Sequence, residues 1–145
     1  MEINAMKKEI IPIILLTYKD TQLIEPLLST IQEDKIDPHI IILDNGSTDV
    51  TWKCLNQIND PRITLIRTEK NLGYTGGINY AVKYAKDTIS NFKNFFIINP
   101  DAQCTPDLIF NLSRLLNKED RAACISPKIL SVDRKITYSG GVIDF

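Results

Sequence analysis

Ile40-Ile41-Ile42-Leu43-Asp44-Asn45-Gly46-Ser47-Thr48-Asp49 is the stretch whose reading decides the fold. Four consecutive large apolar residues predict a strand buried on both faces, as in a parallel sheet rather than a half-exposed antiparallel one. The run stops at a carboxylate, Asp44, and passes at once into Asn45-Gly46, a tight-turn pair. Ser47, Thr48 and Asp49 follow, all helix N-capping types. An acid therefore stands at the carboxyl end of a central strand beside a helix start. In open α/β sheets that edge is where ligands bind. The same acid can also serve only to cap the helix, so the flanking segments have to decide.

Outward from this stretch the chain alternates between strands and helices. Ile13 to Thr17 reads as a first strand, opened by Pro12, because proline cannot donate within a central ladder. Leu23, Ile24, Leu27, Leu28 and Ile31 fall at helical spacing and predict a helix started near Asp20 or Thr21. After the second strand, Ile40 to Asp44, Trp52 and Leu55 give the stripe of a short helix. Arg62 to Arg67 alternates as a third strand, and Ile78, Ala81, Val82 and Ala85 mark a third helix. Phe95 to Ile98 is a fourth buried strand. Thr105 before Pro106 predicts an N-cap with proline at N1, opening a helix whose buried face is Leu108, Ile109, Leu112, Leu115 and Leu116. Ala122 to Ile125 predicts a fifth strand. Beyond Pro127 the pattern loosens into Ile129-Leu130, a polar turn at Asp133-Arg134, and Ile136 to Phe145. Residues 1–9 read as a flexible leader. The alternation argues an α/β protein, a three-layer α/β/α sandwich over a mainly parallel sheet.

Composition narrows the class. A chain of 145 residues with 43% hydrophobic and 24% charged residues is sized for one soluble domain with a real core. Net charge is -1 with both signs interspersed, which gives no electrostatic case for nucleic acid or an anionic membrane as partner. Cys54, Cys104 and Cys124 are odd in number and widely spaced, and predict buried thiols in a reducing compartment. The apolar run after Lys7-Lys8 ends at Tyr18-Lys19-Asp20 without a signal-peptide cleavage pattern. No apolar stretch approaches the roughly 18 residues that span a bilayer. A cytoplasmic location is expected.

The chemistry gathers where strands end. Thr17-Tyr18-Lys19-Asp20, Asp44-Asn45-Gly46-Ser47, the stretch Asn71 to Asn79 and Asn99-Pro100-Asp101 are polar loops that parallel strands bring to one rim. Gly73, Gly76 and Gly77 read as a loop just before a helix, where bare backbone approaches a ligand and offers N–H groups to phosphate. Glycine pairs also serve as plain flexible turns. Asn79, a poor helix former one turn into the helix, suggests a side-chain contact. A dinucleotide-binding dehydrogenase would need G-x-G-x-x-G straight after the first strand, and a nucleotidyltransferase a basic Gly-rich loop there; Thr17-Tyr18-Lys19-Asp20 has no glycine. His39 lies at the wrong end of its strand and reads as structural.

Asp44 to Asp49, Asn71-x-Gly73-x-x-Gly76-Gly77-x-Asn79 and Asn99-Pro100-Asp101 together resemble family 2 glycosyltransferases of the GT-A fold, and within them the rhamnosyltransferase branch. The resemblance covers nearly the whole chain. It implies transfer of a sugar, with inversion, from a UDP- or dTDP-linked donor, rhamnose among the candidates, to a glycan or lipid-linked acceptor in polysaccharide or cell-wall synthesis. By the same resemblance Asp44 reads the pyrimidine ring and Thr17 and Tyr18 line the nucleoside pocket. Asn45 and Ser47 belong to the same donor site. Asn71, Gly73, Gly76, Gly77 and Asn79 flank the nucleoside and diphosphate, and Asn99 meets the ribose. Asp101 is the metal ligand, for Mg2+ or Mn2+. Lys19 stands where the family often has asparagine. Asn99 replaces the first acid of the Asp-x-Asp motif, which lowers the local negative charge.

The resemblance also implies a catalytic base from a later segment. Asp133 and Asp144 are the only late acids before Phe145, and neither sits in a recognisable acceptor motif, so the base is unassigned. The expectation is that residues 10–145 form a nucleotide-sugar-binding domain ending before the acceptor-binding part. It acts within a transferase at the cytoplasmic side, peripheral to the inner face of the membrane. The alternative is a binding module without transfer activity. An edge at Ile136–Phe145 with Val142, Ile143 and Phe145 unpaired would favour a homodimer.

Overall fold

The computed structural model describes residues 8–140, which fall into two compact units divided after Asp107. The first holds β1 (Glu9–Thr17), α1 (Ile24–Thr30), β2 (Ile36–Asp44), α2 (Asp49–Leu55), β3 (Ile63–Arg67), α3 (Gly73–Thr88) and β4 (Phe96–Ile98). The four strands form one parallel sheet in the order β3-β2-β1-β4. The chain steps outward from β1 to β2 to β3, then returns past β1 to β4. Right-handed crossovers therefore put α1 and α2 on one face and α3 on the other.

Side-chain parity agrees with this layering. Ile14 of β1 and Ile41 and Leu43 of β2 pack with Ile78, Ala81 and Ala85 of α3. Their neighbours Ile13, Leu15, Ile40 and Ile42 point to the opposite face and are equally buried, as are Ile24 and Leu27 of α1 and Leu55 of α2. A strand buried on both sides must be apolar at every position, which is why Ile40–Leu43 carries no polar residue until Asp44. Each such side chain contributes about 1.5–3 kcal/mol on burial. No helix among the described residues is long and apolar enough to cross a membrane.

Several boundaries differ from expectation. β1 begins at Glu9, so Pro12 lies inside the strand; β4 pairs only from Ile13, leaving Pro12 with a ladder on one side alone. α1 begins at Ile24, after a turn in which Asp20 Oδ1 accepts the Gln22 amide at 3.0 Å. β4 is shorter than expected and only partly buried, with Phe95 and Ile97 exposed, since it sits at the sheet edge beyond the strands that α3 covers. Cys54 and Cys124 are exposed and Cys104 is half-buried, so the expectation of buried thiols fails for two of the three. Only Cys104 is shielded, and burial pushes its thiol up to about 11.

The second unit holds α4 (Leu108–Leu116) and an antiparallel hairpin of β5 (Ile129–Leu130) and β6 (Ile136–Tyr138). Thr105 does not cap α4. Asp107 takes a left-handed φ of +57°, its amide donates to the Gln32 carbonyl at 3.0 Å, and its carboxylate pairs with Lys35. The Thr105-Pro106 segment is thus held out of the helix. The buried face of α4 is Ile109, Leu112 and Ser113, while Leu115 is half exposed. Residues 122–125 form no strand; Ala-Ala-Cys-Ile carries too little apolar bulk to earn a ladder partner. Val142, Ile143, Asp144 and Phe145 lie outside the described residues.

One close approach positions the functional rim. Gly46 adopts φ +77°, and a Cβ there would stand 2.3 Å from the Lys70 carbonyl carbon and 2.5 Å from the Asn71 nitrogen. At Gly77 the obstruction is softer: the Leu16 Cδ1 at 2.6 Å. Gly46→Ala is expected to cost about 2 kcal/mol or more, from strain at positive φ plus a backbone displacement. Gly77→Ala should cost less, because a side-chain tip can move and alanine gains about 1 kcal/mol of helix propensity. Urea denaturation of both variants checks the order; a smaller loss at Gly46 contradicts it.

Candidate functional site

The parallel register sets Thr17 level with Asp44, and Asp44 level with Arg67, so the ends of β1, β2 and β3 share one rim. β4 pairs on the other side of β1, with Ile98 beside Leu15, and Asn99-Pro100-Asp101 follows it directly. The strand order reverses between β1 and β4, which is where doubly wound sheets open a crevice at their carboxyl ends. The four sequence-predicted loops thus meet on one edge.

Asp44 is buried, with 0% exposure, rather than open on the rim. Its Oδ1 accepts the Ser47 amide at 3.0 Å, as a turn-capping carboxylate does. Its Oδ2 lies 3.2 Å from Arg67 Nε, an ion pair in which the N–H is not aligned for a hydrogen bond. That oxygen has no hydrogen-bond partner among the described residues. The Asp44 carbonyl accepts the amides of Gly46 at 2.9 Å and Thr68 at 3.0 Å.

Asn45 is the joint between the sheet and the next helix. It is buried, its Oδ1 accepts the Leu72 amide at 3.0 Å, and its Nδ2 donates to Asn71 Oδ1 at 3.1 Å and to the Gly73 carbonyl at 3.0 Å. Asn71 Oδ1 also accepts the Gly73 amide at 2.7 Å. Ser47 Oγ accepts the Lys19 amide at 2.7 Å, which ties the β1 loop to the β2 loop. Thr17 is buried, and its hydroxyl donates to the Asp20 carbonyl.

Gly73, Gly76 and Gly77 are not a loop before the helix but its first residues. Gly73 turns through φ +72° into α3, and Gly77 is buried against Leu16 and Asn45. The missing side chain at Gly77 brings the helix close to the sheet rather than to solvent. Asn79 is exposed two turns in, and its side chain makes no hydrogen bond to a described residue. Tyr18 is exposed. A hydrogen bond from Lys19 holds its phenol below the ordinary range, helped by the Lys19 charge and by Asn71, against the opposing effect of desolvation. Tyr74 Oη donates to Asn99 Oδ1 at 3.4 Å, linking the start of α3 to the end of β4.

Asp101 is exposed and makes no hydrogen bond or ion pair with a described residue. Among the described residues no group of three or more His, Cys, Asp or Glu is placed to hold a metal. The donor set is therefore one free carboxylate. That suits a magnesium-like ion whose remaining positions belong to water and phosphate oxygens. His39 bonds Thr64 Oγ1 through Nε2 at 2.9 Å, a structural contact. Asp133 sits in the hairpin turn, its carboxyl held below the usual range by a Ser131 hydrogen bond and by Lys135.

Arg67 was not among the expected site residues; sequence reading treated it as a strand end. Its Nη1 pairs with Asp49 at 3.1 Å, its Nη2 donates to the Ser47 carbonyl at 2.8 Å, and its guanidinium lies 5.6 Å from the centroid of the Trp52 ring. The signal was available: a cation ending the strand next to one that ends in an acid. A cleft of about 220 Å³ opens against Arg67, Thr68 and Glu69. A larger one, about 420 Å³ and lined by Lys86, Ile89, Phe92, Lys93 and Phe95, lies at the amino-terminal end of β4, away from the rim.

A doubly wound α/β unit with an acid-bearing rim at its switch point defines a ligand-binding sheet edge of the nucleotide-binding kind. Residues 13–140 match Glycosyl transferase family 2, and the chain belongs to that family. Over 80 residues it is 38% identical to the UDP-Glc:alpha-D-GlcNAc-diphosphoundecaprenol beta-1,3-glucosyltransferase WfaP of Escherichia coli, covering 54% of this chain and 32% of that protein. The structure superposes with a TM-score of 0.63 on the mannosyltransferase PcManGT from Pyrobaculum calidifontis, solved in complex with GDP-Man and Mn2+. That match is 22% identical and covers 77% of this chain and 33% of that one, and it shows the GT-A-like fold. The chain spans about a third of the length of each.

Asn45→Ala removes four side-chain hydrogen bonds at once, those with Leu72, Asn71, Gly73 and Thr68, and strands the Leu72 amide. A loss of about 2–4 kcal/mol is expected, and faster hydrogen exchange at Leu72 and Gly73 than in the sheet. Unchanged exchange there contradicts the assignment of Asn45 as the joint.

Proposed function

We propose that this chain is the donor-binding part of an inverting, metal-assisted glycosyltransferase using a uridine or thymidine diphosphate sugar. The single observation that carries the reading is Asp44 Oδ2: a buried carboxylate oxygen at the carboxyl end of a central strand, ion-paired with Arg67 but without a hydrogen-bond partner among the described residues. Such an oxygen is costly to leave without a hydrogen bond, and an imide N–H, as in uracil or thymine, supplies one. Adenine presents no such group.

The other roles follow the rim. Thr17 and Tyr18 border the nucleoside, while Asn45 and Ser47 hold the loops that frame it. Asn71, Gly73 and Gly76 flank the diphosphate, with Asn79 further along the same helix. Gly77 acts by letting α3 approach the sheet. Asn99 meets the ribose, and Asp101 would hold Mg2+ or Mn2+. Such an ion, when bound, counters the charge on the departing nucleoside diphosphate. The name of the WfaP relative supports a UDP-linked donor and a lipid-diphosphate acceptor. Asn99-Pro100-Asp101 and Gly76-Gly77-x-Asn79 support dTDP-rhamnose as the competing donor. A place at the cytoplasmic face of a membrane, in glycan or cell-wall assembly, fits a lipid-linked acceptor. A second reading is a sugar-nucleotide-binding module without transfer activity.

Thermal shifts test the ligand class. At 100 times its dissociation constant a uridine or thymidine diphosphate, with Mn2+, is expected to add roughly 2.7 kcal/mol, an upward shift of roughly 5–10 °C. In Asp101→Asn the shift should no longer depend on metal, while the ligand-free melting temperature stays put, because the exposed side chain makes no hydrogen bond or ion pair with a described residue. Equal shifts with adenosine diphosphate, or none with any pyrimidine nucleotide, contradict the reading.

A further inference from the structure

Arg67 is the residue at the rim whose placement the reading above does not use. Three of its contacts are independent of Asp44: the Asp49 carboxylate at 3.1 Å, the Ser47 carbonyl at 2.8 Å and the face of Trp52 at 5.6 Å. These fix the guanidinium from both edges and from one face. Its Nε then lies 3.2 Å from Asp44 Oδ2 without donating a hydrogen bond to it. The Ser47 amide meanwhile holds Oδ1 at 3.0 Å. The carboxylate is thus oriented through one oxygen and charge-balanced at the other, which accepts no hydrogen bond from a described residue.

We propose that Arg67 is a specificity-determining positioning residue, which holds Asp44 as an oriented acceptor for an imide N–H and against a ring-nitrogen acceptor. The inference rests on the functional reading above and deepens it. Uracil and thymine offer N3–H to that oxygen. Cytosine offers a bare N3, so acceptor would face acceptor, and a buried mismatch of this kind is a strong discriminator. Oδ2 has no exposed surface, whereas the Arg67 side chain is 29% exposed. A base therefore reaches Oδ2 only as Arg67 shifts on its Trp52 support, beside the cleft that Arg67, Thr68 and Glu69 line. Trp52 is the only tryptophan in the chain, so its emission reports that shift.

If Arg67 is replaced by an uncharged side chain, the buried carboxylate loses its balancing cation. It is then free to turn from its position, and the imide preference weakens. A lysine restores the charge and part of the geometry.

The experiment compares uridine and cytidine diphosphates, which share ribose, phosphates and metal and differ only at the base edge. Affinities are measured by calorimetry for the wild-type chain, Arg67→Lys, Arg67→Met and Arg67→Gln, with Trp52 emission followed in the first two. The wild type should prefer uridine diphosphate by about 10- to 100-fold, the range of one hydrogen bond to a charged group. Uridine diphosphate should change its Trp52 emission with the same midpoint as the calorimetry. Arg67→Lys should keep most of the preference, and the two neutral variants should lose at least about tenfold of it. If a neutral variant does not fold, the wild-type and lysine arms decide. A silent Trp52, or a lysine variant that loses the preference as fully as deletion of the contact would, overturns the proposal. Folded neutral variants that bind uridine diphosphate with undiminished preference overturn it alone. No binding of either nucleotide by the wild type overturns the functional reading beneath it.

Discussion

The close passage of Gly46 against the Lys70–Asn71 backbone is the constraint on which the rim depends. No side chain fits between these two segments, and the Asn45 amide fastens them with bonds to Leu72, Asn71 and Gly73. With that joint closed, α3 starts directly beside the end of β2. Gly77 lets the same helix settle on Leu16 of β1. The helix that packs the sheet is therefore also the wall of the site. The glycines serve geometry at both ends of one short span, and the polar groups of the rim inherit their positions from it.

Electrostatics follow from the same arrangement. The parallel register sets Asp44 beside Arg67 at adjacent strand ends, so acid and cation meet where the sheet gives way to loops. Arg67 has more contacts than one ion pair needs, and Asp44 keeps one oxygen without a hydrogen bond among the described residues. Stability alone would be better served by closing that hydrogen bond. An open acceptor in a buried place is a cost that a ligand can offset. Asp101 stands apart on its exposed turn, without a hydrogen bond or ion pair to a described residue, and its proposed task is a different one, a metal ion beside the diphosphate.

Much of this was legible in the sequence, for definite reasons. Ile40–Leu43 could only be a strand covered on both sides, and the acid ending it placed the end of that strand. The order of the motifs pointed to the family that residues 13–140 match. What escaped were contacts made across distance in the chain. Nothing local shows that Asp107 is drawn from its helix by Gln32 and Lys35, or that Arg67 reaches Asp49 and Ser47. Glycines at 73, 76 and 77 look like a flexible loop until Asn45 and Leu16 are seen packed against them. The small apolar run at 122–125 imitates a strand because composition alone does not show whether a partner is near. The thiols of Cys54 and Cys124 were assigned to the core by residue type, and type is a weak guide for a small side chain on a helix or loop surface.

The central claim is that the carboxyl rim of the sheet takes the donor nucleotide. Hydrogen–deuterium exchange with and without uridine diphosphate and Mn2+ tests it most directly. Protection should concentrate at residues 44–47, 67–73 and 99–101, with the sheet interior already slow in both states. Protection centred instead on Lys86 to Phe95, around the cleft at the opposite end of the sheet, would contradict it.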